Sequence, residues 1–119
     1  MNKEMIDIFV YFGLTEKESK VLALIIEFKS VPAINFEASL QMRQPEVSVA
    51  IKSLQAKGWV RNGDKIKTGI MLRTGNSYEL ADSFETIIHN IHSNIKVNHI
   101  ENIIKIKRLN TIRRGLLYV

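Results

Sequence analysis

Apolar residues recur at helical spacing along most of this chain, and the breaks between the runs predict its elements. Met5, Ile6, Ile8, Phe9, Val10 and Phe12 predict a short amphipathic helix over residues 2–12, stopped by Gly13. Such a helix packs either across a partner subunit or into the core of its own chain. Leu14-Thr15-Glu16-Lys17-Glu18 then carries a capping box. Thr15 caps the start of a second helix, Glu18 three residues on reaches back, and Leu14 is placed to staple the entry. That helix runs to about Lys29, with Val21, Leu22, Leu24, Ile25 and Phe28 facing inward. Ser30-Val31-Pro32 breaks it, and Pro32 suits the first turn of a third helix holding Ile34, Phe36, Ala38 and Leu40.

A turn over Gln41-Met42-Arg43-Gln44 leads into the stretch around which the chain is organised, Gln44 to Gly58. Pro45 stands at the expected first helical position, where its missing N–H costs nothing. Gly58 stands just past the expected end, ready for a left-handed conformation. Val47, Ala50, Ile51 and Leu54 make one apolar face, while Gln44, Glu46, Ser48, Val49, Lys52, Ser53 and Lys57 make the other. A short helix with a small, hydrogen-bonding, partly basic outer face fits a DNA major groove.

After Gly58 the period changes. Trp59-Val60-Arg61 reads as the start of a strand, and Tyr78 and Leu80 alternating with Glu79 predict a returning strand over Ser77–Ala81. The intervening segment contains the turn dipeptides Asn62-Gly63 and Gly75-Asn76 and the bases Lys65, Lys67 and Arg73. Two strands around such a loop make a wing, with a second turn expected near Thr68-Gly69. From Ser83 to about Arg114 the pattern is helical again. Phe84, Ile87, Ile88, Ile91 and Ile95 form one stripe; Ile100, Ile103, Ile104, Leu109 and Ile112 form a second after a break at Val97-Asn98-His99. The stripes exceed what the remaining chain is expected to cover, so the first is read as a dimerisation face.

Composition sharpens this picture at one point. The net charge is +5, and residues 1–40 carry four basic and six acidic side chains, whereas residues 41–80 carry seven and three. The basic excess therefore begins where the Gln44–Gly58 helix begins, which is the electrostatic footprint of a nucleic-acid binder as well as of a solvated face. Lys105, Lys107, Arg108, Arg113 and Arg114 suit the C-terminal end of a helix dipole. There is no cysteine, hence no disulfide framework and no thiolate metal site, which fits a cytoplasmic protein. The N-terminus does not read as a signal peptide, and the apolar runs are too short to span a bilayer.

Candidate chemistry is sparse. No nucleophile elbow, phosphate-binding loop, dinucleotide fingerprint or zinc-hydrolase motif is present, and no cofactor is implied, so the chain reads as a non-enzyme. Glu85, His89, His92 and His99 share one helical face and have spacing compatible with a divalent metal. The simpler reading is a polar face opposite the isoleucine stripe, and no metal is assigned.

Leu14-Thr15-Glu16-Lys17-Glu18, Gln44-Pro45-Glu46-Val47-Ser48 and Leu54-Gln55-Ala56-Lys57-Gly58-Trp59-Val60 together resemble the archaeal winged helix-turn-helix transcriptional regulators, nearest the TrmB-like and MarR-like groups, over roughly residues 10–80. Glu37 and Gln41 depart from that pattern, which usually has alanine and glycine in those two slots. The resemblance implies a mainly α fold with a small β-wing (α+β). It implies a winged helix-turn-helix domain over 1–81 and a C-terminal helical dimerisation arm over 82–119. It further implies a homodimer on double-stranded DNA, with helix 45–57 in the major groove and the wing, about 61–76, on the backbone or minor groove. The residues expected at the DNA are Arg43, Gln44, Ser48, Val49, Lys52 and Lys57 on the helix. Arg61, Lys65, Lys67, Arg73 and Asn76 are expected there from the wing. No ligand domain is evident, so an effector would have to use the dimer cleft. The alternative is a winged-helix module that binds proteins, which Glu46 and Val49 on the outer face favour.

Overall fold

The computed structural model describes residues 2–63, 66–68, 73–93 and 99–117, with side chains outside 66–68, 73–75, 99–102 and 117. The elements in order are α1 (Lys3–Tyr11), α2 (Glu16–Phe28), β1 (Ser30–Pro32), α3 (Ala33–Leu40), α4 (Gln44–Ala56), β2 (Val60–Asn62), β3 (Ile66–Thr68), β4 (Arg73–Gly75), β5 (Ser77–Leu80), α5 (Phe84–Ser93) and α6 (His99–Leu117). Local chemistry accounts for the helix ends. Asn2 caps α1 by accepting the Met5 N–H at 3.0 Å. The capping box of α2 forms as its sequence predicts: Thr15 Oγ1 accepts the Glu18 N–H at 3.1 Å, and Glu18 Oε1 accepts the Thr15 N–H at 3.0 Å.

Pairing around the wing is richer than a simple hairpin. β2 and β5 pair antiparallel with Arg61 opposite Glu79. β1 pairs with the other edge of β5, giving the order β1-β5-β2. The segment read as a break, Ser30-Val31-Pro32, is thus an edge strand. Proline is tolerated there because an edge leaves one row of N–H groups without a ladder partner. Between β2 and β5, β3 and β4 form a separate antiparallel pair with Thr68 opposite Arg73. The second turn expected near Thr68-Gly69 falls at residues 69–72, outside the described residues.

One core runs through the molecule. Met5 and Phe9 of α1, Val21, Leu22 and Ile25 of α2, Phe36 of α3 and Leu54 of α4 are all fully buried. The same cluster includes Phe84, Ile87, Ile88 and Ile91 of α5 and Leu109 and Ile112 of α6. This corrects the expectation that the α5 stripe lacks chain to cover it. Its four described members are at most 5% exposed in a single copy, and Ile95 lies outside the described residues. The reason is that α6 folds back. Arg113 stacks over the Phe84 ring at 5.2 Å and pairs with Glu85. Arg108 grips Glu4 of α1 with two hydrogen bonds of 2.5 and 2.7 Å, and Lys105 sits 4.5 Å over the Tyr11 ring. The boundary at 81/82 separates β5 from α5 but does not separate two cores. Exposed apolar side chains remain elsewhere, including Ile103 and Ile104 on α6 and Val10 on α1.

Candidate nucleic-acid interface

The helix-turn-helix is α3 and α4, joined through Gln41, Met42 and Arg43. Gln41 adopts the left-handed conformation, φ 54° and ψ 43°, in the slot where the resemblance has glycine. Met42 is buried and anchors the turn. α4 begins at Gln44, so Pro45 falls second rather than first, still among the amides that lack intrahelical acceptors. Gly58, φ 80°, closes the helix as predicted, and Lys57 is its C-cap.

Burial of Val47, Ala50, Ile51 and Leu54 seats α4 on the core and turns its opposite face outward. Arg43, Gln44, Val49 and Lys52 are exposed there and Ser48 is half-buried. Val49 is 70% exposed, far more than a core valine. Ile34 and Glu37 of α3, Gln44, Ser48 and Lys52 of α4 and Asn62 of β2 line one groove beside this face. Gln55 Nε2 donates to Asn62 Oδ1 at 3.0 Å and ties α4 to the sheet. Phe36 packs edge-on against Tyr78, tying α3 to β5.

Charge is sorted across the helix. Among the described residues Arg43 and Lys52 have no carboxylate partner, whereas Glu46 is paired with Lys17 of α2 at 3.5 Å. Lys57 is partly exposed. Its Nζ lies 3.2 Å from Glu18 Oε2, 3.2 Å from Ser53 Oγ and 6.0 Å from the Trp59 ring. Glu18 Oε2 also accepts from Ser53 Oγ at 2.6 Å. Burial alone would raise the Glu18 carboxyl, but donation from Ser53, the Thr15 amide and Lys57 outweighs it and lowers the pKa to about 2.

The wing residues divide. Arg61 is exposed, but its Nε donates to Glu79 Oε1 at 2.8 Å across the β2–β5 pair. Asn76 is exposed, and its carbonyl accepts the Ala33 N–H at 2.8 Å, joining the wing to α3. Lys67 lies on β3 and Arg73 on β4, one position out of register, with their side chains outside the description. Lys65 lies outside the described residues.

The histidine face does not assemble a ligand set among the described residues, and no group of three potential ligands stands close enough to hold a metal ion. Glu85 is paired with Arg113, His89 is exposed, and the His99 side chain lies outside the description.

No protein-family model and no curated relative matches the sequence. Solved structures do match. AbfR in its disulfide-formed state aligns at TM-score 0.52 and 16% identity, covering 98% of this chain and 82% of that one. Wild-type MarR from E. coli in its apo form aligns at 0.53 and 15%, covering 92% and 86%. A mutant of that MarR complexed with operator DNA aligns at 0.53 and 16%, covering 97% and 84%. The fold is the MarR-like winged helix. What these MarR structures share with the chain is that fold, mainly helical with a small antiparallel sheet. Within the MarR-like fold of this chain, sequence reasoning missed the links from α2 to α4, Glu18 to Ser53 and Lys57, and Lys17 to Glu46. One signal for them was present. Ser53 and Lys57 are four apart and so share a helix face, displaced from the face of Gln44, Ser48 and Lys52.

Proposed function

We propose that the chain is a sequence-specific double-stranded-DNA-binding transcription regulator, cytoplasmic, without catalytic activity, and active as a homodimer. α4 enters the major groove. Gln44, Ser48 and Lys52 face base edges or neighbouring phosphates, Val49 meets a thymine methyl, and Arg43 lies by the backbone. Lys65, Lys67, Arg73, Asn76 and Arg61 of the wing contribute phosphate or minor-groove contacts. The observation that carries this reading is the outer face of α4. It has two cations without carboxylate partners among the described residues, while Glu46 is paired with Lys17 of α2, Glu18 of α2 is paired with Lys57, and the exposed Glu37 of α3 lines the groove beside them. Among the described residues no helix is long and apolar enough to cross a membrane. The homodimer uses the exposed Ile103 and Ile104 of α6. Two-fold symmetry then requires half-sites about one helical turn apart.

Lys52→Ala and Arg43→Ala test the reading by fluorescence anisotropy with duplex DNA. Each variant should bind more weakly to all duplexes, with a salt slope smaller by about one per lost phosphate contact. Gln44→Ala should instead relax sequence preference, by about 1–3 kcal/mol at one base pair. A second reading, a protein-interaction module, is favoured by the exposure of Val49 on α4, 70%, and of Ile34 in the groove, 62%. That reading takes over if Lys52→Ala and Arg43→Ala bind duplex as the parent does.

A further inference from the structure

Lys57 has the residue type and position of a phosphate contact, yet its partly exposed ammonium is engaged by Glu18 at 3.2 Å. We infer that Glu18 is a positioning residue for α4, and that Lys57 serves the α2–α4 junction rather than a DNA phosphate. The inference rests on the duplex-binding reading above.

Glu18 does two jobs with two oxygens. Oε1 accepts the Thr15 N–H at 3.0 Å and completes the cap of α2. Oε2 accepts from Ser53 Oγ at 2.6 Å and Lys57 Nζ at 3.2 Å on the last turns of α4. Because both oxygens are held, the carboxylate has one orientation, and α4 is placed relative to the first turn of α2. Ser53 and Lys57 bond each other at 3.2 Å, so the three groups close a triangle. Charge-assisted bonds of this kind are stronger and more directional than neutral ones. The side chain is only 9% exposed, so water does not substitute freely for either donor. The adjacent residue Lys17 holds Glu46 at the other end of α4. Residues 46 and 53 are about 10 Å apart along a helix axis. The buried face seats α4 on the core, and the Glu18 link, with a smaller contribution from the exposed Lys17–Glu46 pair, refines its tilt and rotation, which decide which base edges its outer face meets. Moving Lys57 out to a phosphate would leave the Glu18 charge with Ser53 and the cap alone in a mostly buried site.

Glu18→Gln isolates the proposed role. The amide oxygen still accepts the Thr15 N–H, so the cap survives, while the amide nitrogen cannot accept from Lys57 and the charge-assisted link to α4 is lost, leaving at most a neutral bond to the Ser53 hydroxyl. Lys57→Met removes the charge and keeps the aliphatic stem beside Trp59. Both variants and their double mutant are titrated with the protein's own upstream duplex and with random duplex, over a range of salt, after circular dichroism establishes that each is folded. Each single variant should lose about tenfold in affinity for the upstream duplex, the equivalent of one charge-assisted hydrogen bond. The loss on random duplex should be smaller, the salt slope unchanged, and the double mutant no worse than either single one. A phosphate-contacting Lys57 gives the opposite pattern. Lys57→Met then lowers the slope by about one, and Glu18→Gln frees the lysine and tightens binding. That result, or a Glu18→Gln variant that binds as the parent does, overturns the inference and leaves the DNA reading standing. A parent that shows no salt-dependent duplex binding overturns both. If Glu18→Gln does not fold, Lys57→Met decides alone, through its slope and its ratio of upstream to random affinity.

Discussion

Gln41 holds a backbone conformation that suits glycine better. At φ 54° and ψ 43° a residue with a side chain is strained by about 1–2 kcal/mol. Glycine recovers that but loses roughly 0.5–1 kcal/mol through its freer unfolded chain. The Gln41 side chain is exposed and its removal opens no cavity. Gln41→Gly should therefore raise stability by a net 0.5–1 kcal/mol, roughly, in urea unfolding, and Gln41→Val should lower it. Glu18 gives the second prediction at this scale. Its folded pKa is depressed from the ordinary 4.5 to about 2, so its contribution is fully present above about pH 4.5 and is lost as pH falls toward 2. The parent should exceed Glu18→Gln at pH 7 by about 1–2 kcal/mol from this linkage, once solvent screening on the Lys57 side is allowed for. The gap should close between pH 4.5 and 2, as read from urea midpoints at each pH. A gap that stays constant down to pH 2 contradicts the assignment. Sequence discloses half of this residue. The Thr15–Glu18 spacing is local and legible, whereas Ser53 and Lys57 lie 35 and 39 positions away, and their shared helix face does not name Glu18 as its partner.

At the scale of elements, helices were legible and short strands were not. α1, α2 and α4 each expose a periodic apolar face and a recognisable end: Gly13 after α1, the capping box before α2, Gly58 after α4. β1 has three residues, too few for alternation to register, and it exists because β5 offers an open edge. Arg61 and Glu79 look like unrelated surface charges until the β2–β5 register sets them opposite each other. The α5 stripe was legible as apolar but its destination was not, since periodicity names a face and not what covers it. The structure assigns it to the core. Ile87 is fully buried, so Ile87→Ala should cost about 2–5 kcal/mol in thermal or urea unfolding. If Ile87 packs within one chain, that cost should be the same at low and high protein concentration. A cost that vanishes on dilution would place Ile87 at a subunit interface instead.

Across the whole molecule, several acids are paired within the chain, and the outer face of α4 keeps two cations, with the exposed Glu37 of α3 in the groove beside them. Glu4, Glu18, Glu46, Glu79 and Glu85 each pair with a cation within the chain. Arg43 and Lys52 remain on the outer face of α4, and the basic excess of residues 41–80 continues into the wing. Binding of duplex DNA by this face is tested by the salt dependence of binding of the parent protein to random duplex and to its own upstream DNA. Anisotropy gives the affinities and light scattering gives the mass of the complex. Steeply salt-dependent binding is expected, with log affinity falling linearly against log salt by roughly 0.9 per neutralised phosphate. Tighter binding to the upstream duplex and a complex with two protein chains per site are expected with it. Weak binding that is indifferent to both salt and sequence would contradict it, and would make the outer face of α4 a surface for protein partners.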